Sequence, residues 1–391
     1  MADLTREVPD RVGKDSLEWA CAMNSDMKGS LLFARSLCQI EQLIGRTPAV
    51  DYSAQTLAGV TGQRFLVTGA GGSIGSEIVR QLVSLGAGDV YLLDHNEGAL
   101  HALQLGLHGD GLLQDKTVIL ADVREKRTLG RIFADVGPTT VFHAAAHKHL
   151  PLMERFPSEA VHTNVVGTAN VACAAAASGT KRFVNLSTDK AVAPSCILGA
   201  TKRAAELVAA AAASPSMKVA SVRFGNVLGS SGSFLQTVHW QLTNGRAVTV
   251  TDRRATRYFM TISEAARLVI EVSAMARNGE TYMLDMGEPV AIEQLVHRYA
   301  QILGVTATIE YTGLRPGEKL HEDLFDDAEN RSSTTHPGIW QTKAVGAPPA
   351  DLGFTIRGLA DAVEAAPHSI LQLLWSMMPA GAVREPDVAV T

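Results

Sequence analysis

From Arg64 onward, short and nearly continuous apolar runs alternate with longer segments whose apolar residues recur every three or four positions. The runs are RFLVTG (64–69), DVYLLD (89–94), KTVILAD (116–122), TVFHAAA (140–146), RFVNLS (182–187) and KVASVRFG (218–225). Continuous apolar runs of this length read as strands buried on both faces, and their alternation with helical periodicity predicts a parallel sheet covered by helices on each side. The expected class is α/β, with a doubly wound parallel sheet over residues 61–225.

The flanking regions break this rhythm. Residues 1–60 open with a charged stretch and continue into SLLFARSLCQIEQLIGR (30–46), which predicts an N-terminal helical extension. Past Gly225 come the Gly/Ser-rich GNVLGSSGS, a helix through 233–243, a strand at AVTVT and the basic cluster RRATRYF. Residues 226–345 are therefore expected to form a smaller substrate-binding lobe. Residues 346–391 are expected to hold one helix around 357–377 and a loose tail. Alanine runs in 172–177 and 204–213 imply closely packed helices.

Composition narrows the class of function. The 391 residues are 46% hydrophobic and 19% charged, as in a folded globular protein, and the net charge of −5 gives no field for nucleic acid. The four cysteines form no C-x-x-C pair, so neither a zinc site nor a disulfide framework is expected, which suits a reducing cytoplasm. No apolar stretch reaches the ~18 residues of a membrane span, and MADLTREVPDRVGKD is too charged for a secretory signal. A cytoplasmic protein without an integral membrane segment is expected.

VTGAGGSIGSE (67–77) follows the first strand and opens a helix. Gly69, Gly72 and Gly75 give the tight turn, the close backbone approach and the helix packing that a dinucleotide pyrophosphate requires, with the amides of Ser73 and Ile74 at the helix start. Asp94 ends the second strand roughly 20 residues on, where a carboxylate accepts the ribose hydroxyls of an adenosine. That acid favours NAD over NADP, since a 2′-phosphate would meet like charge. Asp122 and Val123 are placed for the adenine edge and Ala144 for the carboxyl edge of the fourth strand. The sheet is thus expected to be of the Rossmann type.

Other residues carry weaker signals. His143, His147 and His149 span a strand-to-loop junction without a carboxylate partner, so no metal site is expected, and Lys148 facing a sugar or phosphate is the better reading. Arg253, Arg254 and Arg257 suit either a solvated face or a diphosphate, and the Arg315–Lys319 turn is also phosphate-compatible. In STDKAVAPSCILGATKR (187–203), Asp189 and Lys190 sit just past a strand tip, where both side chains can face one pocket.

These landmarks, with LADVRE, VFHAAAHKHLPLMERFPSEAVHTNVVGT, GATKRAAE, VRFGNVLGSSGS, TRYFMTISEA, LDMGEPV and TGLRPGEKLHEDL, run in order over about residues 40 to 326. The chain resembles the extended short-chain dehydrogenase/reductases, and more narrowly the UDP-N-acetylglucosamine 4,6-dehydratases of bacterial polysaccharide biosynthesis. The resemblance implies Asp189 as general acid, Lys190 as general base, Thr188 near the sugar 4-hydroxyl and Lys202 on the nicotinamide ribose. It places Lys148, Asn226, Arg257, Arg315 and Glu318 on the UDP-sugar. It also implies a homo-oligomer, a dimer formed through helices around 151–176 and 198–213.

One departure stands out. Enzymes of the short-chain type usually carry Tyr-x-x-x-Lys, although some dehydratases of this subgroup have methionine in place of the tyrosine; here the position four before Lys202 is Leu198, a similar apolar filler, and no tyrosine occurs between residues 92 and 257. The 4-hydroxyl proton would then leave through Thr188 and a water, or to Asp189 or Lys202. A base at Lys190 needs a lowered pKa, expected from partial burial and from Lys202 or the nicotinamide nearby. A 4-epimerase would depend on the absent tyrosine and have no need of Lys190; a catalytically silent nucleotide-binding protein would fit Leu198 but not the retained acid–lysine set.

Overall fold

The computed structural model describes residues 43–46, 51–325, 331–342, 352–365 and 367–378. Most of the expected helix at 30–46, and the tail after 378, lie outside the described residues. The six apolar runs form β1 (Arg64–Thr68), β2 (Asp89–Asp94), β3 (Val118–Leu120), β4 (Thr140–His143), β5 (Arg182–Leu186) and β6 (Lys218–Arg223). They pair in parallel in the order β6-β5-β4-β1-β2-β3. The chain builds outward from β1 in one direction and then from β4 in the other. The crevice at the carboxyl ends of β1 and β4 is the switch point where ligands of such sheets bind.

Helices fill the crossovers. After α1 (Ala54–Val60), α2 (Ser73–Ser84), α3 (Glu97–His108) and α4 (Lys126–Val136) follow the first three strands. Next come α5 (Leu150–Arg155), α6 (Pro157–Val161), a π-helical turn (His162–Val166) and α7 (Gly167–Ala177), then α8 (Ile197–Ala211) after β5. Ile78, Val79 and Leu82 of α2 join one core against the sheet, and Leu129 and Phe133 of α4 with Val171 and Ala175 of α7 join the core on the other face. Burying each large apolar side chain contributes about 1.5–3 kcal/mol.

Beyond β6 the chain does not stay in one lobe. β7 (Asn226–Leu228), α9 (Phe234–Thr243), β8 (Val248–Val250), β9 (Thr256–Arg257) and β10 (Phe259–Thr261) lead to α10 (Ile262–Met275), whose Leu268, Val269 and Val272 cover the sheet beside α2. β11 (Asn278–Leu284) then pairs in parallel with β6, and β14 (Arg331–Ser333) and β15 (Ile339–Thr342) extend that edge antiparallel. Its burial explains β11: TYML is one more apolar run. The lobe retains β12 (Val290–Ala291), α11 (Ile292–Leu303) and β13 (Ile309–Tyr311), in the pairs β10-β7, β12-β9 and β13-β8. Its own core includes Leu235, Val238, Val248, Leu295 and Tyr299.

The single helix expected around 357–377 is two helices, α12 (Leu352–Ala365) and α13 (Pro367–Ser376). Pro367 opens the second, where a residue without an N–H costs no helical hydrogen bond. Leu359, Ile370 and Leu374 of this hairpin pack with Val161, Val165, Leu198 and Val208. The helical face that the sequence reading assigns to a second copy is thus covered in part by this chain's own C-terminal hairpin. No described helix is long and apolar enough to cross a membrane.

Candidate active site

The glycine loop is tight for stated steric reasons. Gly69 has φ of 65°, and a Cβ there would stand 2.6 Å from the Ala145 nitrogen. A Cβ on Gly75 would stand 2.1 Å from the Gly69 oxygen. Gly72 caps α2 with extended backbone, so the amides of Ser73 and Ile74 open the helix toward the loop. Asp94, buried at the tip of β2, accepts the Gly71 and Asn96 amides, each at 2.9 Å.

A cleft of about 260 Å³ lies over this turn, and Gly69, Gly72, Asp94, Asp122, Val123 and Ala144 all line it. A cradle that any Cβ would fill, a helix start and a strand-tip acid fit the pyrophosphate and adenosine of a dinucleotide. Arg124 also lines the cleft, but Asp122 at 2.6 Å and Glu159 at 3.2 Å engage its guanidinium. Burial pushes the Asp122 carboxyl up, yet the hydrogen bonds from Arg124 hold it below the usual range. Above the helix start, the Ser231 amide donates to Ser73 Oγ at 2.9 Å and Lys148 Nζ donates to the Ser231 carbonyl at 2.5 Å.

The π-helical turn was not legible beforehand. Its Asn164 is fully buried; Oδ1 accepts the His147 amide at 2.8 Å, and Nδ2 donates to the His147 carbonyl and to Thr201 Oγ1. It fixes the loop after β4 against α8, and Thr163 beside it lines the cleft. A buried asparagine inside an apolar helical stretch, HTNVVGT, was the available signal.

Past β5 the backbone continues along β6: the Ser187 amide donates to Val222 at 2.6 Å and the Asp189 amide to Phe224 at 3.1 Å. Thr188 caps a short 3₁₀ turn, Asp189–Ala191. Thr188 Oγ1 donates to Asp189 Oδ1 at 2.9 Å, and Lys190 Nζ donates to the same oxygen at 3.0 Å and to Asn226 Oδ1 at 3.4 Å. Glu322 Oε1 lies 3.3 Å from Lys190 Nζ. Asp189 Oδ2 and Glu322 Oε2 are buried without a hydrogen-bond partner among the described residues.

This geometry corrects one expectation. Burial does push Lys190 down, but the carboxylates of Asp189 and Glu322 outweigh it and hold the ammonium above the ordinary lysine range. Burial does lower Lys202, to about 8 against the opposing charge of Glu206, and it lowers Lys148 as well. Lys202 Nζ donates to the Leu186 carbonyl at 2.5 Å. Glu322 lies within TGLRPGEKLHEDL, where no local pattern singles it out. Its importance depends on a long-range contact with Lys190.

On the lobe side, Arg257 is buried and its guanidinium meets Glu318 Oε1 at 3.0 Å, while Arg315 Nε meets Glu318 Oε2 at 3.0 Å. Glu318 therefore orients both arginines. Arg253 stacks on Tyr311 and Arg254 pairs with Asp252, both on the exposed surface. His143 is buried between the hydroxyls of Thr68 and Thr168.

A doubly wound sheet with a glycine-rich turn at its switch point and an acid–lysine pair at a neighbouring strand tip defines an extended short-chain dehydrogenase/reductase. Residues 65–344 match the polysaccharide biosynthesis protein family, and the chain belongs to that family. It is 44% identical over 313 residues to the probable polysaccharide biosynthesis protein EpsC of Bacillus subtilis, covering 78% of this chain and 52% of that one. With the same coverage it is 42% identical to the capsular polysaccharide biosynthesis protein CapD of Staphylococcus aureus. The chain spans about half the length of these relatives. Among solved structures, Pen from Bacillus thuringiensis superposes with a TM-score of 0.65 at 30% identity, over 73% of this chain and 89% of that one.

Proposed function

We propose that the protein is an NAD-dependent nucleotide-sugar 4,6-dehydratase of polysaccharide biosynthesis acting on UDP-N-acetylglucosamine. The observation that carries this reading is the Thr188–Asp189–Lys190 cluster, in which hydroxyl and ammonium share one carboxylate oxygen. NAD, held at its pyrophosphate and adenosine by the glycine turn and Asp94, would supply reversible oxidation at C4, which makes the C5 proton acidic and elimination of the 6-hydroxyl feasible. Asp94 supports NAD, because a 2′-phosphate would sit against its carboxylate.

The chain's own residues handle the protons. Asp189 and Lys190 together hold one proton, resting on Lys190 in the free protein. Moving it to Asp189 yields an acid for the leaving hydroxyl and a neutral amine for the C5 proton. Thr188, already donating to Asp189, gives the 4-hydroxyl proton a path that needs no tyrosine at position 198. Arg315 takes the diphosphate and Lys202 the nicotinamide ribose, with Lys148 and Asn226 on the sugar side, while the buried Arg257, bonded to Glu318 and to the carbonyls of Thr256, Lys319 and Leu320, holds the turn that carries Arg315.

Incubation with UDP-N-acetylglucosamine in deuterated water tests the reading. Loss of one water with deuterium uptake at C5 is expected; no loss of water from any sugar nucleotide would refute it. A second reading, 4-epimerisation, draws on the 30% identity, over 68% of this chain, to a protein named UDP-glucose 4-epimerase of Rickettsia prowazekii. It predicts a C4 epimer of unchanged mass.

A further inference from the structure

Lys190 has two carboxylate neighbours, and the proposed chemistry uses only Asp189. Glu322 arrives from a turn far along the chain, is almost fully buried, and points one oxygen at Lys190 Nζ, 3.3 Å away. Its other oxygen has no partner among the described residues, an expensive arrangement for a buried carboxylate with only a structural role. The other charged or titratable groups near the cluster include Arg257, whose Nε is 3.9 Å from Glu322 Oε1, the buried thiol of Cys196, and the phenol of Tyr258, which burial and then the charges of Glu288, Asp323 and Asp189 push up. Arg257 opposes the ammonium, so the two carboxylates alone favour it.

We propose that Glu322 is a positioning residue of the catalytic cluster, its carboxylate holding the shared proton of the Asp189–Lys190 pair on Lys190. This rests on the dehydratase reading for its consequence in turnover, but not for the proton's location. With Glu322 in place the pair keeps its one proton on Lys190 well into the alkaline range, so that proton is still there to move to Asp189 when the 6-hydroxyl leaves. Without it, Lys190 sheds the proton to solvent at lower pH and the pair is left without an acid. Substituting the carboxylate removes one opposite charge in contact, which shifts a titration by about 1–3 pH units.

The test uses the full chain with NAD bound, comparing wild type with Glu322→Gln and with Glu322→Asp. Lysine labelled with carbon-13 at Cε, with the Lys190 signal assigned from Lys190→Met, reports the titration of Lys190 directly by NMR. Lys190 is expected to titrate about 1–3 pH units lower in Glu322→Gln than in wild type, and Glu322→Asp, which keeps the charge, to move it less. The alkaline limb of the pH–rate profile for water loss should shift in parallel. An unchanged Lys190 titration in a folded, NAD-binding Glu322→Gln protein would overturn the proposal. Equal shifts in Gln and Asp variants would also overturn it, because they would point to packing rather than charge. If no sugar nucleotide loses water, the dehydratase reading fails while the NMR titration still decides the role of Glu322.

Discussion

Lys202 Nζ lies 2.5 Å from the carbonyl oxygen of Leu186, so the lysine of α8 is tied to the last residue of β5, just before the Ser187–Lys190 segment. Burial lowers this ammonium to about 8. Lys202→Met should leave the fold intact, since an apolar chain relieves the cost of burying a charge. NAD affinity should fall about 10–100-fold through loss of a charge-assisted hydrogen bond. Calorimetric titration checks this, and wild-type NAD affinity should weaken as pH rises through about 8 and the ammonium is lost.

Gly75→Ala places a methyl 2.1 Å from the Gly69 carbonyl, inside contact distance of backbone that has no side chain to move. Destabilisation of about 1–3 kcal/mol is expected, with NAD binding abolished. Gly59→Ala, where no atom lies within 4 Å, is the control and should bind NAD normally.

Leu198 is buried in an apolar cluster with Leu150, Val165, Leu359 and Leu374. A tyrosine there must make room for a larger ring and find a partner for its hydroxyl. Leu198→Tyr is therefore expected to lose about 1–3 kcal/mol of stability in urea unfolding. Its water-elimination rate should range from unchanged to modestly increased.

His143, bonded by Thr68 and Thr168 in the core, is pushed down to about 3 by burial, with the charge of Lys202 adding to it. The folded value lies below the unfolded one of about 6.5, so the unfolded chain binds the extra proton as pH falls. The full stability is present above about pH 6.5 and is lost progressively toward pH 3, by about 2 kcal/mol at pH 5. Urea unfolding as a function of pH checks this, and His143→Gln should flatten that acid limb.

Ending the chain at Thr342 removes α12 and α13 and uncovers Val161, Val165, Ile197 and Val208. Light scattering should show the truncated protein self-associating more strongly than the full chain, because an exposed apolar face of this kind seeks a partner. Equal molar masses for both proteins would show that the hairpin does not mask an association surface.

Much of this molecule was legible in order of residues alone. The six strands, the glycine turn and Asp94 follow from local patterns, because a buried parallel strand must be apolar along its length and a pyrophosphate requires glycines at fixed offsets. That Asp189 and Lys190 lie together past a strand tip was legible for a similar reason: the strand's apolar run ends where polar residues begin. The edge strands β11, β14 and β15 were less visible, since nothing local states which sheet a short run will join.

The charge state of the cluster was beyond reach of the sequence. Whether Lys190 is lowered or raised depends on how burial weighs against charges within a few ångströms, and one of those charges comes from Glu322, across the lobe. In the same way, residues far apart in the chain decide that Leu198 faces the C-terminal hairpin. Composition and periodicity determined the sheet and the loop that position this site. Only tertiary contact decided where its proton rests, because electrostatic energy depends on distance in space and not on separation along the chain.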